Sequence, residues 1–349
     1  MDKILITGGC GFIGTNLTSV LLDRGAHVAV IDNLSRVGAA NNLAYLRSKG
    51  LINFKHTDIR SREDIDRLVY EFKPDVVFHL AGQVAMTTSL LSPVTDFEIN
   101  ALGTVYLLDS LKKHSPRATV IYSSTNKVYG DLEYLNYRTC GKRYTCIEYP
   151  SGFNEEIKLD LSSPYGCSKG AADQYVLDYS RHSDLSTCVF RHSTVYGVQQ
   201  WPTYDQGWVG WFILEALEKK AGKDQPFTIS GSGLQVRDVL YCTDVAYAYL
   251  MAAEKKNDIR GKAYNIGGGI DNSLSLLELF DYLENILDIK LNFTRGAERK
   301  ADQKFFVARA DRATQDFGWA PSTKMGIGLD AAIEWNLRGK KVGGNFSQV

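Results

Sequence analysis

No apolar run in this 349-residue chain approaches the ~20 residues that a membrane-crossing helix requires. Neither charge is in surplus: 40 Lys and Arg stand against 40 Asp and Glu. Such a balance lacks the electrostatic footprint of a nucleic-acid or membrane-surface binder. An anionic ligand must then be met by locally placed cations and helix ends. The six cysteines, at 10, 140, 146, 167, 188 and 242, form no Cys-x-x-Cys pair and have no histidine cluster beside them, so no metal is expected. Cys140 and Cys146 are close enough in sequence to bridge, but Cys10 in a Gly-rich turn and Cys167 in a helical stretch suit free thiols in a reducing compartment. No leader is legible, because residues 3–7 already read as a strand; the expected location is cytoplasmic. Internal repeats and low-complexity segments are missing as well.

What is present is an alternation of short apolar runs and helix-period segments. Strands read at 3–7, 27–31, 52–55, 75–79, 118–123 and 186–191, with helices near 12–24, 40–48, 62–72, 94–113 and 164–182. Apolar strands separated by helices predict an α/β fold, a doubly wound parallel sheet covered on both faces. From a helix near 208–222 onward the elements are shorter and mixed, which predicts a smaller α/β substrate-binding lobe. The expected division is 1–192 plus about 239–270 for the large lobe, and 193–238 plus 271–340 for the small one, with the ligand cleft between. The tyrosine-rich stretch 130–161 has no helix period and is expected to fold as an insert over that cleft.

Gly8, Gly11 and Gly14, in GGCGFIG, lie directly after a strand and before a helix. Glycine lets the backbone turn tightly and approach a pyrophosphate closely, and the helix N-terminus turns its N–H groups toward the phosphates. Asp32 ends the second strand, where a carboxylate accepts from ribose hydroxyls and repels a 2′-phosphate. That predicts NAD, although Arg36 nearby is the kind of residue that accommodates NADP.

The Gly-x-x-Gly-x-x-Gly spacing, with Asp58-Ile59, His79-Leu80-Ala81-Gly82 and Asn100, resembles the extended short-chain dehydrogenases/reductases, whose fold is Rossmann-type. The resemblance implies further cofactor contacts at Phe12, Ile13, Asn33, Ser35, Gln83, Ser123 and His192.

Ser163 and Pro164 are good helix starters, and Tyr165 and Lys169 follow one turn apart on the same face. A tyrosine titrates near pH ~10. A neighbouring ammonium and a positive nicotinamide would favour its phenolate and make Tyr165 a general base. Lys169 would also reach the nicotinamide ribose. Thr125, in YSSTNKVYG, falls where the resembled family keeps a Ser/Thr that orients the reacting carbinol.

In that family the two residues after this Thr discriminate between reactions: dehydratases carry Asp-Glu, and decarboxylating relatives place a glutamate at the second position. Here they are Asn126 and Lys127, which leaves hydride removal and return. Gln83, Thr125, Asn126, Lys127, Thr194, Gly207, Trp208, Thr228, Arg237, Arg299 and Gln303 are the expected substrate contacts, the two arginines gripping a diphosphate. The stretches HLAGQVAMTTS, SSTNKVYGDLE, SPYGCSKGAADQY, TYDQGWVGWF and FTISGSGLQVRDVL resemble the bacterial CDP-paratose 2-epimerases. That resemblance implies a nucleotide diphosphate sugar, a CDP-sugar first, inverted at C2 through a keto intermediate. Spacing alone fits a UDP-sugar 4-epimerase or a CDP-glucose/CDP-mannose 2-epimerase as well. An NAD-binding sensor would have no use for Tyr165, Lys169 and Thr125 together. By analogy with the family, a homodimer or homotetramer is expected.

Overall fold

Strands that are apolar along nearly their whole length can be satisfied only in the middle of a covered sheet, and that is where this chain puts them. The computed structural model describes residues 3–299 and 302–341. Its first half runs β1 (Ile4–Thr7), α1 (Phe12–Asp23), β2 (Val28–Asp32), α2 (Ala39–Lys49), β3 (Asn53–His56), α3 (Arg62–Phe72) and β4 (Val76–His79). It continues with α4 (Met86–Leu91), α5 (Pro93–Phe97), α6 (Gly103–His114), β5 (Thr119–Thr125), β6 (Tyr137–Cys140), β7 (Arg143–Cys146), α7 (Ser163–His182) and β8 (Ser186–His192). Seven strands form one parallel sheet ordered β12-β8-β5-β4-β1-β2-β3, where β12 is Lys262–Ile266. The order reverses between β1 and β4, so a crevice opens beyond their carboxyl ends. Leu5, Ile6, Val30, Val77, Phe78, Val120, Ile121, Val189 and Phe190 are fully sealed within it, each contributing about 1.5–3 kcal/mol of burial. β3 is largely exposed, as an edge strand should be.

The second half supplies β9 (Thr194–Tyr196), α8 (Trp208–Lys220), β10 (Phe227–Ser230), β11 (Val236–Tyr241) and α9 (Cys242–Glu254) before β12. After it come β13 (Ser273–Ser275), α10 (Leu276–Leu287), β14 (Phe293–Gly296), β15 (Phe305–Phe306), α11 (Asp311–Phe317) and α12 (Met325–Lys341). β11 pairs with β9, β13 and β15, and β10 pairs with β14. α8, α10 and α12 close a separate apolar core over these strands.

Four expectations change. The helix expected at 94–113 is broken by a π-helical turn, Glu98–Leu102. Such a turn takes one extra residue and leaves no mark on apolar periodicity. Residues 311–319, expected in the smaller lobe, pack Ala313, Phe317 and Trp319 into the core of the large sheet. β11, expected to divide at 239, lies wholly in the small sheet. The 130–161 stretch does not roof the cleft, since none of its residues lines either main cavity. Its β6–β7 hairpin instead docks on the small lobe, with Arg143 paired to Glu278 on α10 and the Tyr144 N–H donating to the Leu234 carbonyl at 3.0 Å. The hairpin register sets Cys140 opposite Arg143 and Cys146 opposite Tyr137, at opposite ends, and all six thiols are free. Among the described residues no helix is long and apolar enough to cross a membrane.

Candidate active site

The glycine turn between β1 and α1 is shaped by contacts that only hydrogen permits. Gly8 has φ +67°, and a Cβ there would lie 2.7 Å from the Ala81 nitrogen. A Cβ on Gly14 would lie 2.4 Å from the Gly8 carbonyl oxygen. Gly11 caps α1 without a side-chain bond, and the first turn carries no acid. The backbone N–H groups at this helix end therefore face a cavity of about 370 Å³ without a competing carboxylate.

That cavity is walled by Gly8, Gly11, Phe12, Ile13, Gly14, Asp32, Asn33, Ser35, Arg36, Asp58, Ile59, Leu80, Ala81, Gln83 and Ser123. Asp32 accepts from the Cys10 and Leu34 N–H groups at 2.9 and 2.8 Å, which aims its carboxylate into the cavity while burial raises its pKa. Asp58 accepts from Asn33 at 2.9 Å and is forked by Arg60, which holds it well below the usual carboxylate range. Arg36 donates to Gln206 at 2.5 Å. Its guanidinium is thus engaged by the loop before α8.

The second cavity, about 380 Å³, shares Phe12, Ile13, Val84, Ser123, Gln200 and Gln206 with the first. Thr125, Asn126, Lys127, Tyr165, His192, Thr194, Gly207, Trp208, Thr228, Arg237 and Arg299 all line it. His192, expected beside the cofactor, lies in this second cavity, because β8 runs in register with β5 and pairs it with Thr125. Burial drives its pKa down to about 3, helped by the Lys169 charge, so the ring is neutral. Its Nε2 is bonded to the Tyr249 hydroxyl at 2.8 Å.

Three expected contacts stand behind the walls. Asn100, sealed at 1% exposure, accepts from the Gln83 N–H at 2.9 Å and donates to Asp96 and Ser168 at 3.2 and 3.0 Å. The π turn points it inward, where it orients Gln83. Gln303 is fully buried and donates to the Gly130 carbonyl at 2.7 Å, while its Oε1 accepts from Asn126 at 3.0 Å. It sets the Asn126 amide. Gln83 itself faces only the first cavity.

Lys169 is the third. It is 3% exposed, with Nζ donating to the Ser123 carbonyl at 2.5 Å and lying 4.5 Å from the Tyr122 ring centre. Burial pulls its pKa down to about 7 against the raising influence of Asp96 and Asp173. Tyr165 is pushed up to about 12 by burial, partly offset by its hydrogen bond with Thr125. The expected activation of the phenol by a neighbouring full positive charge is therefore not built into the chain alone. Ser163 does start the helix: its Oγ accepts from the Gly166 N–H at 3.2 Å, from a left-handed φ of +68°.

Three further groups escape a reading of the sequence. Asp302 accepts from Lys127 at 3.2 Å and from Arg237 at 2.6 Å on the same oxygen. Burial favours its neutral form, but Arg237 and Lys127 override this and hold it at about 2. Asp96 lies under the Tyr165–Lys169 helix and accepts from Ser168. Behind Thr125, Asp173 is forked by Arg191 through two 2.9 Å bonds and accepts from Ser124 at 3.0 Å. Only Asp302 carries a local signal, its place between Arg299 and Gln303. The described residues hold no group of His, Cys, Asp or Glu that could bind a metal.

Residues 4–267 match the family described as the NAD dependent epimerase/dehydratase family. A CDP-paratose 2-epimerase of Salmonella typhi is 52% identical over 333 residues, spanning 95% of this chain and 98% of that one. A UDP-glucose 4-epimerase from Thermotoga maritima, solved with UDP-glucose, superposes with a TM-score of 0.82 at 28% identity, covering 97% of this chain and 100% of that one. A UDP-glucuronic acid 4-epimerase from Bacillus cereus, solved with UDP-glucuronic acid and NAD, superposes at 0.81 with 26% identity, covering 96% and 99%.

Proposed function

The chain belongs to the NAD dependent epimerase/dehydratase family, and we propose that within it the protein inverts C2 of a CDP-hexose of the paratose type. Inversion rather than elimination is carried by the pair Asn126 and Lys127 lining the cavity directly after Thr125, and the choice of C2 and of a CDP-sugar by the 52% identity to the CDP-paratose 2-epimerase. Neither Asn126 nor Lys127 can act as the carboxylic acid or carboxylate that an elimination needs, so a sugar oxidised here has no route onward except reduction.

The first cavity fits NAD. The Gly14–Gly8 approach leaves room for a pyrophosphate but not for a Cβ, Asp32 offers its carboxylate to the ribose diol, and Arg36 is taken by Gln206. When bound, NAD supplies a reversible hydride acceptor. Thr125 and Tyr165 present paired hydroxyls to the substrate carbinol, and Tyr165 takes and returns its proton. Lys169, through the Ser123 carbonyl, tethers the strand end to the helix that carries Tyr165. Arg237 and Arg299 face the diphosphate, with Trp208 and Thr228 beside the nucleoside. Inversion would then require the keto sugar to turn within the cavity before its opposite face is reduced. The large-sheet lobe thus carries the dinucleotide and the small lobe the sugar nucleotide. Exposed Leu91, Val94 and Phe97 on α4–α5, together with Tyr175 on α7, form the face through which two copies pair.

The test is incubation with CDP-, UDP- and GDP-sugars in deuterated water, read by NMR. Inversion at C2 without deuterium uptake is expected, because the hydride never leaves the protein. Loss of water or inversion at C4 would overturn the reading.

A further inference from the structure

We propose that Lys127 decides which carbon of the sugar ring reacts, by holding the sugar-linked phosphate so close to Thr125 and Tyr165 that C2, and not C4, meets their hydroxyls. The inference rests on the C2 reading above and deepens it.

Lys127 sits two residues beyond Thr125 in the 3-10 turn Asn126–Tyr129, and its backbone N–H donates to the Thr125 Oγ1 at 3.2 Å. Its position relative to the reacting hydroxyl is therefore set by a bond rather than by a flexible loop. Lys127 lines the cavity, and its side chain is 19% exposed. Nζ lies 3.2 Å from the Asp302 Oδ1, and the Arg237 Nη2 lies 2.6 Å from the same atom. Two cations from distant parts of the chain thus already converge on one anionic oxygen. Arg299 lies near enough to bear electrostatically on both Lys127 and Asp302. Lys127, Arg237 and Arg299 bring three positive charges and Asp302 one negative charge. The remaining two positive charges match the two negative charges of a diphosphate diester.

Ring geometry makes the placement selective. In a nucleotide sugar, C2 is three bonds from the nearer phosphorus, whereas C4 is five bonds away by either path around the ring. If C4 meets Tyr165, the phosphate is carried away from the catalytic hydroxyls. If C2 meets it, the phosphate must lie beside them, and the described cavity wall there offers Lys127. The same cation has an electrostatic duty. A phosphate next to C2 opposes loss of the C2 hydroxyl proton through like-charge repulsion, and a neighbouring ammonium cancels that penalty. Lys127 is accordingly a specificity-determining residue with a direct effect on the chemical step.

The test compares wild type, Lys127→Gln, Lys127→Arg and Arg237→Gln, each purified with bound NAD. C2 inversion of CDP-paratose is followed by NMR, and CDP affinity by calorimetry. Lys127→Gln is expected to lose about 100-fold in kcat/KM, the scale of removing one donor aimed at developing charge. Its CDP dissociation constant should rise less than about tenfold, since only the reactive pose requires this cation. Lys127→Arg should recover most of the loss, which also shows that the turn still folds. Arg237→Gln should weaken CDP and CDP-sugar together. Two results overturn the inference: C2 inversion by Lys127→Gln within about fivefold of wild type, or a fall in CDP affinity as large as the fall in kcat/KM, which marks uniform binding. A wild-type protein that inverts C4 in place of C2 sinks the underlying reading, and is told apart by being seen before any variant is made.

Discussion

Replacing Lys169 with methionine should change the stability of the cofactor-stripped protein in a way that reverses with pH. The lysine titrates at about 7 when folded and at 10.5 when unperturbed, as in the unfolded chain. Between those values the unfolded chain binds more protons, so the wild type gains stability as pH rises. At pH 7 the linkage integral gives a cost of roughly 4 kcal/mol for keeping this side chain buried, and at pH 10 it has fallen to about 1 kcal/mol. Methionine removes that cost but leaves the Ser123 carbonyl without its donor, a loss of about 2 kcal/mol. The variant should then be about 2 kcal/mol more stable than wild type near pH 7 and about 1 kcal/mol less stable near pH 10. Urea unfolding of both proteins at the two pH values measures the difference, and the pH effects of buried tyrosines and thiols cancel in the comparison. A stability difference that moves by less than about 1 kcal/mol between the two would show that Lys169 is not desolvated, and the reasoning would fail.

Tyr165→Phe should lower kcat by at least about 100-fold with NAD occupancy unchanged, and retained turnover would remove Tyr165 from its role. Gly14→Ala brings a methyl group to 2.4 Å from the Gly8 oxygen and 2.6 Å from the Gly9 Cα. The turn must open, so the purified variant should have lost its NAD absorbance; full occupancy would contradict the fit. Arg191→Met strands the Asp173 carboxylate, whose side chain is 0% exposed, and should cost about 3–5 kcal/mol in urea unfolding. Adding Asp173→Leu should recover part of that loss, and an additive result would mean that the two groups are not one unit.

The parts of the site that are legible in the sequence are those whose chemistry lies within one local element. Gly8, Gly11 and Gly14 form a strand–turn–helix unit, and Tyr165 and Lys169 a single helical turn, so spacing along the chain is spacing in the fold. Parallel strands that are apolar throughout announce the large sheet for the same reason. The illegible parts depend on pairings across the chain. Asp302 reaches Lys127 over 175 positions and Gln303 reaches Asn126 over 177, and no local pattern encodes either meeting. Asn100 stands out in the sequence but its task does not, since only the π turn shows that it faces Gln83 and Ser168. The 130–161 insert lands away from its expected place because a hairpin without helix period can dock on any neighbouring face, and the apolar cluster of Leu132, Cys146, Phe153 and Ile157 with Val236, Phe305 and Phe306, flanked by the Arg143–Glu278 pair, holds it on this one.

Burial acts in opposite senses on the two central groups, and this bears on when Tyr165 is a base. With the phenol at about 12 and the ammonium at about 7, moving one proton from Tyr165 to Lys169 is uphill by five pH units, roughly 7 kcal/mol. Resting side chains therefore hold a phenol beside a lysine near its midpoint, and Tyr165 does not strip protons from whatever enters the cavity. Positive charge placed against the pair lowers the cost of the phenolate, and an oxidised nicotinamide carries such a charge whereas a reduced one does not. With NAD bound, Tyr165 would then be available as the phenolate that the proposed base role requires, ready to take the substrate proton. Without that charge, the burial that raises its pKa would keep the proton on Tyr165 until the sugar is reduced. On the proposed reading, oxidation and re-reduction of one carbon need that alternation, and the burial of both groups is what would supply it.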